Sequence, residues 1–378
     1  MYQRFSLNQP VSFRSATFLS RTLKSPSIPL RNYTSNQFKL KPSFEIALRA
    51  ACLQLMLARW GLETATKLDF AKSNEFKIDD RRMRAFESIT NTALNGGLSE
   101  SLTEKEMEML QKDPGTWEYQ DFSYGKFWES LGKYIFIFQT CFYKLCILAW
   151  MLGRRNEIPS YFSSFDRVLL FQSTGILPGD SKTIDSFINS YMSLQAKFSL
   201  EDTILKREID IAEIWYWRAR LQVLLDLKDQ IIKEQENKES GNEKKSNIEK
   251  IIEKELLKKN VPHSLRSIIK NSKGVLESAT KRAVDLQLLS QSDTEDFDIV
   301  IEVLDDQKNH PNASSKPAET TIPYNKLEKK DHDALMDIAE ARMMAFAWTT
   351  GKLDKWDPEK MLQVGSINPL NILWTPDE

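Results

Sequence analysis

Carboxylates are missing from the opening of this chain. Glu45 is the first of 53 Asp and Glu residues. Ahead of it stand seven cations: Arg4, Arg14, Arg21, Lys24, Arg31, Lys39 and Lys41. Glycine is also scarce, 13 in 378 residues, which argues against a hairpin-rich β fold. No Gly-rich phosphate loop is present; "TALNGGLSE" lacks both the spacing and the lysine. Cysteine and histidine number three each. The odd set Cys52, Cys141 and Cys146 sits in apolar company, so it reads as buried thiols in a reducing compartment and excludes a disulfide framework. Among His263, His310 and His332, none pairs with another His or Cys at metal-ligand spacing. His332, Asp333 and Asp337 read as a solvated first turn of a helix, because residues five apart diverge around it. No serine lies in a nucleophile elbow, and a Ser-His-Asp set finds no support. The sequence therefore assigns no catalytic residue, no metal ligand and no cofactor.

An acid-free, Arg- and Ser-rich opening has the composition of an organellar transit peptide. Val11, Phe18, Leu19 and Leu23 fall on one side of a helix, with Arg14, Arg21 and Lys24 on the other. Such a positive amphipathic segment is drawn inward by a membrane potential. "RNYTS" resembles a matrix-processing site, with cleavage after Tyr33. The expected address is mitochondrial, in the matrix or peripheral to the inner membrane. Without the five cations before Tyr33, the chain carries 47 basic and 53 acidic residues, near −6. That balance disfavours nucleic acid as a partner, since such binding draws on many phosphate contacts.

The body reads as helices. "PSFEIALRAACLQLMLARWGL" has Ser43 placed as an N-cap, Gly61 after the run, and a stripe of Ile46, Ala50, Leu53 and Leu57. A polar stretch ends at Gly96 and Gly97, and "LTEKEMEMLQ" carries a capping box of Thr103 and Glu106. Tyr134 to Leu152 is long enough to suggest a membrane span. Lys144 and Gln139 inside it favour a central buried helix. Ser199 is placed to cap a helix with Ile204, Ile211, Ile214, Trp215, Leu221 and Leu225 at helical intervals. From Lys228 the composition turns to Lys, Glu and Asn, the mark of a solvated or disordered arm. "DHDALMDIAEARMMAFAWTTG" is a closing helix ended by Gly351. The expected fold is all-α, an irregular multi-helix bundle around a central apolar helix. Its divisions are a presequence (1–33), a first helical part (43–227), a charged insertion and Pro/Ser linker (228–327), and a closing helix with tail (328–378).

This order of elements resembles the domain of unknown function 4272, a mostly bacterial family of small helical proteins. The resemblance rests on "EIALRAACL" with Arg49 and Ala50, on "LTEKEMEML", and on "ILAWMLGRRNEIP" with Trp150, Leu152, Gly153 and Pro159. It continues through "ILKREIDIAEIWY" with Ile209 and Tyr216, and "ARMMAFAWTTGKLDKWD" with Arg342, Ala345, Trp348, Trp356 and Asp357. It covers about 43–227 and 331–361. Tyr143, Ala219, Arg220 and Ala341 depart from the family's polar pattern, and the family brings no assigned activity.

One local feature stands out, "EIWYWRARL". Trp215, Tyr216 and Trp217 span nearly the whole circumference of a helix, with Arg218 and Arg220 beside them. One side must be core; an exposed side would offer the residue types that anchor interfaces. These five residues form the candidate partner surface. The expected function is a non-enzymatic interaction, assembly or stability factor for a larger complex, with a protein partner. Two alternatives stand beside it: an enzyme with a carboxylate-based site, such as one around Glu208 and Glu213, and an inner-membrane protein anchored through 134–152.

Overall fold

The computed structural model describes residues 39–73, 77–122, 139–161, 166–192, 201–236, 248–258, 263–289, 295–303 and 318–357. The presequence with its cleavage site at Tyr33, the Ser199 cap, residues 134–138 of the apolar run, His310 and the tail from 358 lie outside them.

Helix α1 spans Ser43–Lys72 and buries Ile46, Ala50, Leu53 and Leu57. It runs past Gly61, where the sequence pattern had placed its end. One interior glycine costs only about 1 kcal/mol, and the Arg59–Glu63 ion pair spans it on the buried face at 2.8 Å. The polar stretch forms α2 (Asp80–Asn95), which Asp79 caps through Arg82 N. Helix α3 (Glu104–Gln111) begins at the expected capping box of Thr103 and Glu106. A single turn, α4 (Tyr119–Phe122), follows, and then the described part of the central helix, α5 (Gln139–Met151). Two short helices, α6 (Arg167–Thr174) and α7 (Ser181–Asn189), are capped by Asp166 and Asp180.

Helix α8 (Asp202–Glu236) is the longest, about 52 Å at 1.5 Å per residue. The charged stretch supplies α9 (Ile248–Lys258), α10 (His263–Lys270) and α11 (Ser272–Asp285). It also supplies a feature the composition did not announce, an antiparallel ribbon of β1 (Asp298–Val303) and β2 (Ala318–Pro323). Ile299 pairs with Ile322 and Val300 with Thr321. A lone two-stranded ribbon is marginal in water; this one is anchored because Phe297 and Ile299 are buried in the helical core. A 3-10 turn, Tyr324–Lys326, leads into α12 (Lys329–Thr349).

The fold is all-α. Helix α12 lies between α5 and α8, and α5 in turn packs on α1 and α6. Residues 341–350 are buried without interruption, as expected for a helix surrounded by others. Ala339, Ala341, Ala345 and Ala347 let its neighbours approach closely. The core runs unbroken from Ile46 to Trp356 and takes in Val275, Leu276, Ala279 and Ala283 of α11. The second half of the charged insertion is thus part of the main body. Its first half stands on a small cluster of its own: Ile231, Ile252, Leu256 and Ile269. Among the described residues, no helix is long and apolar enough to cross a membrane.

Candidate functional site

Five carboxylates are buried in the described residues, Glu63, Glu106, Asp121, Glu213 and Asp296, and their partners decide what they can do. Glu106 sits at the N3 position of α3, where it accepts from Thr103 N at 2.9 Å. The same carboxylate takes both terminal nitrogens of Arg49 from α1. Arg49 also donates to Ser101 O and lies 4.9 Å from the Trp356 ring. Glu63 accepts from Arg59 and from Gly115 N at 2.9 Å, while Arg59 reaches Lys112 O and stacks 4.4 Å from Phe86. Burial raises the Glu63 carboxyl above its ordinary range, and Arg59 opposes that shift. Asp121 is held by Lys112 at 2.8 Å, and Glu213 by Lys352 at 2.8 Å.

The fifth carboxylate organises the largest polar group. Arg218 of α8 donates Nε to Asp296 Oδ1 at 2.7 Å and a terminal nitrogen to Oδ2 at 2.8 Å. Asp296 also accepts from Phe297 N and Asn325 N. The guanidinium lies 4.0 Å from the Tyr324 ring, whose hydroxyl meets His332 Nδ1 at 2.8 Å. Arg, Asp, Tyr and His in one cluster would suit proton transfer. Here the bidentate pair is buried and its lone pairs are spent on backbone amides. Burial also pushes the Tyr324 hydroxyl up and the His332 imidazole down, which favours both neutral forms. The cluster fastens α8 to the entry of β1 and the start of α12.

The candidate partner surface fares differently from its expectation. Trp215, Tyr216, Trp217 and Arg218 are all buried, and Arg220 alone is exposed. Trp215 stacks on Tyr161 at 5.1 Å and meets Phe297 edge-on at 5.2 Å, while Trp217 faces Phe297 at 6.3 Å. Arg220 donates to the Tyr216 hydroxyl. Isolated helical reasoning left one side of the cluster wet; Tyr161, Phe297 at the β1 entry and Tyr324 ahead of α12 cover it. Ile204, expected in the same stripe, is 45% exposed. His332 is buried and bonded, not part of a solvated turn.

Glu208 and Glu213 do not form a pair. Glu213 is tied to Lys352, and half-buried Glu208 faces Arg342. Burial raises the Glu208 carboxyl, and Arg342 and Arg207 oppose this. Arg342 itself donates to Pro159 O and Ser160 O and lies 4.0 Å from the Tyr161 ring. Cys52, Cys141 and Cys146 are buried thiols; burial pushes Cys52 up to about 12 and raises the other two. Among the described residues, no three His, Cys, Asp or Glu side chains gather to hold a metal ion. Nothing local in the sequence signalled Asp296 or Tyr324, which lie 78 and 106 positions beyond Arg218.

Comparison with known protein families, with characterised proteins and with solved structures finds no match to this chain.

Proposed function

We propose that this protein is a non-enzymatic interaction factor of the mitochondrial matrix that assists the assembly or stability of a larger complex. One observation carries the reading: each buried carboxylate of the described residues is paired with its own Lys or Arg, and in all but the Arg59–Glu63 pair the two partners come from separate segments of the chain. An acid gripped in this way by a fixed cation is poorly placed to take a proton from a substrate. Exposed apolar side chains support a partner surface on the α6–α7 side, where Val168, Leu169, Leu177 and Met192 are each more than half exposed. The acid-free opening supports the address. The resemblance to the domain of unknown function 4272 belongs to the same proposal. It gains support from the meeting of its signature residues: Arg49 over Trp356, Trp356 edge-on to Trp348 at 5.2 Å, and Arg342 on Pro159 O.

Affinity purification of the tagged protein from isolated mitochondria, read by mass spectrometry, tests the proposal. Stoichiometric recovery of one complex is expected, and repeated recovery of the protein alone overturns it. A second reading has one observation in its favour. Glu208 makes no hydrogen bond or ion pair to a described residue and has a raised proton affinity, as an acid–base carboxylate requires. Turnover of a small molecule that vanishes in Glu208→Gln, with the fold intact, would establish that reading instead. The membrane alternative is settled by alkaline carbonate extraction, in which release to the supernatant is expected.

A further inference from the structure

Two residues beyond the end of helix α5 stands Gly153, whose φ of +69° reverses the chain. The turn is fastened by Gly153 N to Trp150 O at 2.9 Å and Arg154 N to Ala149 O at 2.8 Å. It delivers two consecutive arginines to a solvent-open depression of about 450 Å³, lined by Arg154, Arg155, Asn156, Glu157, Leu169 and Ser173. These arginines differ from those of the core. Arg49, Arg59 and Arg218 each grip a carboxylate. Arg154 is held instead by neutral groups, donating to Tyr191 Oη and Ser190 Oγ and lying 5.5 Å and 5.2 Å from the Phe187 and Tyr191 rings. Arg155 is half-buried, with its Nε shielded from solvent and unpartnered, and no described carboxylate pairs with it. Arg154 is therefore pre-positioned, and neither cation is paired with a carboxylate of the described residues.

We infer that this depression binds a phosphate group, carried by a small solute or by the headgroup of an anionic phospholipid. This inference is independent of the proposed function. A guanidinium presents planar, paired donors that match phosphate oxygens. Arg154 has already lost its side-chain freedom to Tyr191 and Ser190, so less entropy is lost on binding. The Asn156 amide adds a neutral donor at the edge of this open hollow. Leu169, 57% exposed, and Val168, 62% exposed, form an apolar shoulder. That shoulder would rest at the acyl boundary if the phosphate is a headgroup. Glu157 lines the same hollow and weakens the field, which gives the inference a second direction of test.

The full chain, labelled with ¹⁵N at arginine, is titrated with inorganic phosphate at constant ionic strength, with chloride as control. In parallel it is floated with vesicles of phosphatidylcholine alone or with added phosphatidic acid. Saturable shifts of arginine side-chain signals with phosphate assign a solute. Flotation that requires phosphatidic acid, without saturation in solution, assigns a headgroup. In either arm Arg155→Gln weakens binding about tenfold or more, the loss of a charge-assisted contact, and Arg155→Lys restores part of it. Glu157→Gln tightens it about threefold, as removal of a nearby exposed charge should. Should Arg155→Gln fail to fold, Glu157→Gln carries the test: tightening supports the inference, and an unchanged affinity refutes it. Equal response to phosphate and chloride, no response in either arm, or wild-type behaviour in both Arg155→Gln and Glu157→Gln overturns it.

Discussion

At Asp296 one carboxylate satisfies a guanidinium, two backbone amides and, through Arg218, the face of Tyr324. Asp296→Ala leaves Arg218 buried without a counter-charge. The expected loss is about 3–5 kcal/mol, read as a shift in the urea midpoint with an unchanged slope. His332 allows a pH prediction. Around it stand the Tyr324 hydroxyl, Asp226, Asp333, Arg218 and Lys329, and burial sets its folded pKa below the ordinary 6.5. Above 6.5 both folded and unfolded forms are neutral and nothing is lost. As pH falls below 6.5 the unfolded chain takes up a proton that the folded chain refuses, so stability drops. Between pH 7 and 5.5 this costs up to about 1 kcal/mol, and His332→Gln should remove that part of the slope. The sequence could identify Arg218 and His332 as polar residues near apolar ones. It could not pair them with Asp296 and Tyr324, because ion pairs across such separations leave no periodic trace. Reading "WYWR" as a surface failed for the same reason: its covering elements lie far along the chain.

Elements were legible where a local rule sufficed. The Thr103–Glu106 capping box, the stripe of α1, Gly96–Gly97 after α2 and Gly351 after α12 each follow from a few neighbouring residues. The charged insertion was not. The Lys-, Glu- and Asn-rich turn of composition at Lys228 marks its start, yet does not show that its halves do different work. Helices α9 and α10 rest on the distal part of α8 through Ile231, Ile252, Leu256 and Ile269, helped by Lys228 Nζ on Ile269 O and Ser272 Oγ. By contrast α11 and the β1 entry place Val275, Leu276, Ala279, Ala283, Phe297 and Ile299 in the main core. Two deletions should separate these roles. Removing 228–262 empties only the small cluster, so the chain should stay cooperative and melt within a few degrees of the parent, while partner recovery falls. Removing 272–299 strips six core side chains and Asp296 and should abolish cooperative unfolding in calorimetry. If the first deletion unfolds the chain globally, the small cluster belongs to the main core after all.

On the scale of the whole molecule, the start of the described body is fastened to its end. Lys41 N donates to Thr349 O at 2.8 Å, and Lys41 Nζ donates to Asp354 O at 3.0 Å and lies 5.6 Å from the Trp348 ring. Gly351 makes this approach possible. Its φ is +72°, and a Cβ there would stand 2.8 Å from Lys39 O. Residues 39–42 are thus structural, although in sequence they continue the acid-free opening, so a leader of the proposed kind would have to end ahead of them. A chain starting at residue 34 should match the full chain in urea, whereas one starting at residue 43 should lose about 1–3 kcal/mol. Gly351→Ala should cost a similar amount in the chain starting at 34, through backbone strain and the clash with Lys39 O. In the chain starting at 43 the clash has no partner, so the same substitution should cost less. The difference between those two penalties is a coupling energy. A value near zero would mean that the closing turn does not hold residues 39–42.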